Sequence, residues 1–122
     1  MFIRDISQSD EIIAGDNTLL KELFNPLKDD LELGYSLSVA RVQQGGVTYL
    51  HRLKSSEVYF FLKGTVEMRI DGEKAVVGAG QAVYVPPGAA QQVENIGAEE
   101  VIFACIVDPA WKADDEEILV DP

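Results

Sequence analysis

His51 is the only histidine in a chain of 122 residues, and Glu57 follows it six positions later. An imidazole and a carboxylate brought together can transfer protons or share one as a buried hydrogen-bonded pair. A carboxyl desolvated among apolar side chains has a raised pKa and suits proton abstraction next to a carbonyl. In such a reaction His51 or Tyr59 would supply the acid. Nucleophilic catalysis has weaker support. Ser55-Ser56 lie near His51 in sequence, but no Gly-x-Ser-x-Gly elbow is present. Gly78-Ala79-Gly80 lacks the lysine and helix pattern of a phosphate-binding loop. The single cysteine, Cys105, sits within the apolar run Val101 to Val107 and reads as a buried core thiol.

Short strands must position these groups. Ser36 to Val42, Val47 to Leu53, Val58 to Leu62, Thr65 to Ile70 and Glu73 to Val77 carry β-type patterning. So do Ala82 to Val85, Gln91 to Ile96 and Val101 to Val107. Gly45-Gly46, Gly64, Gly78-Ala79-Gly80, Pro86-Pro87-Gly88 and Gly97 punctuate them. Asp71-Gly72 is a strong hairpin signal, because its turn needs positive φ. The set predicts an all-β sandwich or barrel. Thr18 to Leu27 fits either a capped helix or an irregular strand. Asp114 to Glu117 reads as a solvated acidic tail, and Trp111 as a residue that caps the barrel.

The length favours one domain, 1–122, with a real core. There are 21 acidic and 10 basic residues, a formal charge of −11. This argues against nucleic acid and against an anionic membrane surface as partners. One cysteine excludes an intramolecular disulfide and a Cys-x-x-Cys site. With no signal-peptide pattern at Met1 to Asp5 and no membrane-spanning stretch, the cytoplasm is the expected location.

Spacing narrows the reading further. Five residues separate Gly45 from His51, one separates His51 from Leu53, three precede Glu57, and six precede Gly64. The run 45–64 resembles the first cupin motif, with Leu53 where a second histidine would stand. Gly80, Pro86, Gly88, Gln91 and Asn95 resemble the second motif over 80–95, with Gln91 in place of a third histidine. The 15 residues between the motifs are typical of small single-domain cupins. The resemblance implies the cupin double-stranded β-helix, a jelly-roll-like barrel. It tips Thr18 to Phe24 toward a strand and suggests a homodimer, with the residues before Tyr35 available for the interface.

The resemblance also implies a metal site. Metal-dependent cupins hold a divalent ion with three histidines and a glutamate, and here the matching positions are His51, Leu53, Glu57 and Gln91. His51, Glu57 and Gln91 would bind Mn, Fe, Ni or Zn more weakly than the full set, since an amide oxygen is a poorer ligand. Period-two alternation then brings Tyr59, Phe61, Val93 and Asn95 to the lumen with them. The facing of Arg41 is open. A mostly apolar cavity with a few polar groups suits a small, largely uncharged organic ligand. Three functions follow: a metal-assisted isomerase or oxygenase, a metal-free acid–base isomerase using Glu57, and a small-molecule-binding module.

Overall fold

The computed structural model describes residues 1–121. Its strands are β1 (Ile12–Ile13), β2 (Leu19–Phe24), β3 (Ser36–Val42), β4 (Leu50–Leu53), β5 (Ser56–Lys63) and β6 (Thr65–Ile70). They continue with β7 (Glu73–Gly78), β8 (Ala82–Val85), β9 (Gln91–Asn95), β10 (Val101–Asp108) and β11 (Glu116–Val120). Short 3-10 turns cover Ile6–Gln8 and Ala113–Asp115. No helix among the described residues is long and apolar enough to cross a membrane.

Two antiparallel sheets form, in the orders β1-β2-β3-β10-β5-β8 and β11-β4-β9-β6-β7. Period-two alternation decides which face of each strand is inside. On β5 the buried residues are Glu57, Tyr59 and Phe61, and on β10 they are Val101, Phe103, Cys105 and Val107. On β4, His51 and Leu53 are buried while Arg52 is exposed. The rings of Tyr59, Phe61 and Phe103 pack with centroids 5.1 to 6.0 Å apart. Pairs of this kind contribute about 0.5–1.5 kcal/mol each beyond their buried area. Asp71 and Gly72 adopt φ of 48° and 85°, and this left-handed turn joins β6 to β7 as the Asp-Gly pair predicts. The outer face of β5, β8 and β10 leaves Phe60, Leu62, Tyr84 and Ile106 exposed.

The ambiguous segment Thr18 to Leu27 is a strand in its first part. Leu19–Phe24 pairs with β3, which would otherwise be a bare sheet edge. The acidic segment departs from the solvated tail expected for it. Glu116 and Glu117 belong to β11, which pairs with β4 and covers its free edge. Ile118 and Val120 supply the β-type residues of this strand, and Lys54 N donates to Asp115 O at 3.1 Å just before it. Trp111 borders the internal cavity, and its carbonyl accepts from Asn25 Nδ2 at 2.9 Å. Arg41 points away from the lumen. Its guanidinium pairs with Glu11 at 2.6 Å and Glu100 at 2.7 Å.

Asn95 ties the end of β3 and the turn between β9 and β10 together. Its Nδ2 donates to Val42 O at 3.0 Å and Glu99 O at 2.9 Å, and its Oδ1 accepts from Gly97 N at 3.0 Å. The residue is buried, so its removal strands paired backbone groups. Asn95→Ala should therefore lose about 2–4 kcal/mol in urea unfolding. A loss under about 1 kcal/mol would show that water replaces the amide.

Candidate functional site

An internal cavity of about 150 Å³ lies between the inner face of β2, β3, β10 and β5 and the strands β4 and β11. Cavities of about that size accept a molecule such as benzene. Its walls are mainly apolar, with Leu20, Ala40, Leu53, Phe103 and Val107 among them. Its polar groups include His51, Glu57, Cys105, Asp16, Glu116, Thr18, the serines of β3 and the Glu22–Lys28 ion pair.

Strand register sets this cluster. His51 on β4 stands opposite Gln91 on β9. Glu57 on β5 stands opposite Val107, and Tyr59 stands opposite Cys105. Leu53 stands opposite Glu116 on β11. The position of the missing second histidine is thus flanked by a carboxylate from outside both motifs.

Glu57 is buried, and its Oε1 is the one fully buried side-chain polar atom among the described residues that lacks a hydrogen-bond partner. Burial pushes its pKa from the ordinary 4.5 up to about 8, and the nearby charge of Asp16 adds to the rise. Cys105 and Gln91 pull the other way without offsetting it. Glu57 is therefore mostly protonated at neutral pH. Burial, reinforced by Glu57, holds Cys105 as a thiol, in keeping with the core role expected for it and against nucleophilic use.

The Tyr59 hydroxyl donates to Gln91 Oε1. Neither residue borders the cavity. Tyr59 is fully desolvated, which raises its pKa well above the usual phenol value. A role for Tyr59 as an acid toward a ligand in the cavity does not fit this placement. Instead it holds Gln91 in the wall behind Glu57.

His51 is 2% exposed. Its Nδ1 lies 3.0 Å from Tyr49 O, and a carbonyl can only accept, so Nδ1 carries a hydrogen. In the neutral ring Nε2 is then an acceptor. It lies 3.7 Å from Asp16 Oδ2 and 4.0 Å from Glu116 Oε2. Burial raises the pKa of Glu116, His51 lowers it, and Asp16 raises it again.

His51 stands opposite Gln91, and Gln91 is within hydrogen-bond reach of Glu57, so the expected metal donors are neighbours whose ligand atoms are partly engaged. The ion-pair contacts of His51 are with Asp16 and Glu116 rather than with Glu57. Gln91 commits its carbonyl oxygen to Tyr59, and Leu53 contributes no donor. No three His, Cys, Asp or Glu side chains among the described residues gather closely enough to hold a metal ion. As arranged, the donor set does not fit a transition metal.

Comparison with known proteins agrees with the barrel. Residues 38–107, more than half of the chain, match the family model described as a cupin domain. The chain belongs to the cupin family. An uncharacterized protein of Methanocaldococcus jannaschii is 34% identical over 110 residues, covering 88% of this chain and 86% of the relative. Among solved structures, a cupin 2 conserved barrel domain protein from Salinispora arenicola superposes with a TM-score of 0.76. It is 24% identical and covers 93% of this chain and 91% of its own. The polyketide cyclase RemF from Streptomyces resistomycificus gives a TM-score of 0.81 at 16% identity, covering 100% and 87%. At these identities the solved structures establish the cupin barrel and not an activity.

Asp16 and Glu116 lie outside both cupin motifs, so the motif spacing did not point to them. The signal available was the apolar run Ile118-Leu119-Val120 directly after the two acids, which suits a strand better than a solvated tail.

The burial of Glu57 has a thermodynamic consequence. The folded state binds its proton more tightly than the unfolded chain does, so Glu57 lowers stability as pH rises from about 4.5 to about 8. The full effect is on the order of 3 to 5 kcal/mol. Glu57→Gln should gain on the wild type by a few kcal/mol across this window, read by urea unfolding between pH 5 and pH 9. Parallel curves would show that Glu57 titrates normally.

Proposed function

We propose that this cupin binds a small, mainly apolar organic molecule in its lumen, with Glu57 as the proton donor to an acceptor atom of that molecule. The observation that carries this reading is the buried, unpartnered Glu57 Oε1 on the wall of an apolar cavity. An unmatched buried polar atom costs about 1–3 kcal/mol, and a ligand group that pairs with it recovers that cost. A neutral carboxyl matches a carbonyl oxygen, because it can donate where a carboxylate can only accept. A carbonyl so bound is polarised toward enolisation or addition, and general-acid assistance of this kind contributes typically 10²–10⁴-fold. Binding is the primary claim, and turnover would build on it.

The donor set supports a site that works without a metal, since Gln91 and Leu53 leave His51 and Glu57 as separate groups. The reading is tested by thermal shift and calorimetry on a set of small ketones and amides, using untagged protein with and without chelator treatment. Affinity should fall roughly tenfold between pH 6.5 and pH 9 as Glu57 ionises, and Glu57→Gln should abolish that dependence. A pH-independent affinity would remove Glu57 from the role. Binding lost on chelation and restored by Mn, Fe, Ni or Zn salts would reinstate the metal reading for His51, Glu57 and Gln91.

A further inference from the structure

The outer face of the larger sheet is divided in two. Its β2–β3 half is covered from within the chain. The Phe2 ring packs edge-on against Phe24 with centroids 5.5 Å apart, Lys21 Nζ donates to Ile6 O at 3.2 Å, and Arg4 Nη1 donates to Leu23 O at 2.9 Å. The residues before β2 thus spend these contacts inside one copy. The β10–β5–β8 half stays open, with Phe60, Tyr84 and Ile106 43, 62 and 38% exposed.

Register fixes what the open half presents, because paired residues point to the same side of a sheet. Phe60 stands beside Ala104 and Ala82, and Val58 stands beside Ile106 and Tyr84. Two full rows across three strands therefore carry no charge. Along these strands the outward charges stand only at the two ends. Lys63, beside Ile102, closes one end, and Asp108, beside Ser56, closes the other. Both are exposed, and neither has an ion-pair partner among the described residues.

In a chain of net charge −11, most of the surface repels a second copy. The charge-free rows remove that repulsion, and the opposite charges at the ends make the face complementary to itself. A two-fold axis crossing the strands lays the Lys63 end of one copy over the Asp108 end of the other. Sheet faces stack in this way about 10 Å apart, with strand directions within about 30°. Sideways growth of the sheet is hindered instead. β8 is the free edge, and Pro86-Pro87 directly after it cannot donate to an added strand.

We propose that the outer face of β10, β5 and β8 is the contact between two copies of this chain, stacked about a two-fold axis that sets Lys63 of each copy against Asp108 of the other. The face measures roughly 15 by 25 Å. That is at the small end of specific interfaces, so the dimer should dissociate at roughly micromolar concentration. The lumen lies on the other side of this sheet, so ligand binding there should be the same in monomer and dimer.

Sedimentation velocity on untagged full-length protein tests the contact. The wild type should pass from monomer to dimer as concentration rises through the micromolar range. Phe60→Glu should stay monomeric throughout, with circular dichroism confirming the fold. Lys63→Asp should weaken the dimer roughly tenfold or more, because it sets acid against acid twice in each dimer. Lys63→Asp with Asp108→Lys should restore it. Ile3→Glu, on the N-terminal segment, should change nothing. A wild type that is monomeric at every concentration overturns the proposal, and so does a dimer that survives Phe60→Glu. Loss of the dimer in Ile3→Glu overturns it too and assigns the contact to the N-terminal segment. A dimer that the double charge reversal fails to restore overturns the two-fold pairing.

Discussion

Desolvation of one carboxyl governs the polar architecture of this barrel. Glu57 stands on β5, beside the edge strand β8, in a sheet whose inner face carries Tyr59, Phe61, Phe103 and Val107. Water is the usual partner of a carboxylate, and here burial among apolar side chains weakens its hydration. The group therefore keeps its proton at neutral pH, and one oxygen has no partner. Gln91 and Cys105 moderate this state, and Tyr59 locks Gln91 in place. The chemistry of the cavity follows from that desolvation more than from any single hydrogen bond.

A barrel that buries a polar wall must supply stability elsewhere. The aromatic cluster of Tyr59, Phe61 and Phe103 lies next to the site and fills the lumen beside it. Asn95 fastens the loops at Val42 and Glu99 to β9 and pairs both of those carbonyls. Arg41 and Arg69 form ion pairs on the outer surface with Glu11, Glu100, Glu67 and Glu94. Exposed pairs of this kind contribute little each, about 0–1 kcal/mol. They do break up an otherwise strongly acidic surface.

The loss of the cupin histidines is linked to the ends of the chain. Leu53 replaces one imidazole and faces Glu116 from β11. Asp16, from the loop between β1 and β2, approaches the surviving His51 from the other side. Two acids brought in by terminal segments thus occupy the neighbourhood from which histidines are absent. The polarity of the site shifts from nitrogen donors toward carboxylates.

Much of the framework was legible in the sequence. Glycine and proline at fixed intervals, and period-two alternation in β3, β5, β9 and β10, specify strands whose buried faces are unambiguous. The cupin-motif spacing placed His51, Glu57 and Gln91 inward, and alternation from them placed Arg52 outward. These are local properties, since each follows from the pleat of one strand. The pairing of Leu19–Phe24 with β3 and the edge position of β11 were not local. Each depends on a free sheet edge formed by residues far away in the chain. The convergence of Asp16 and Glu116 on His51 is likewise tertiary, for one hundred positions separate the two acids. So is the separation of Gln91 from the cavity, because a hydroxyl from the opposite sheet claims its carbonyl. Sequence determined which groups enter the barrel. Only the closure of the two sheets decided which of them share a cavity, and how deeply each is buried there.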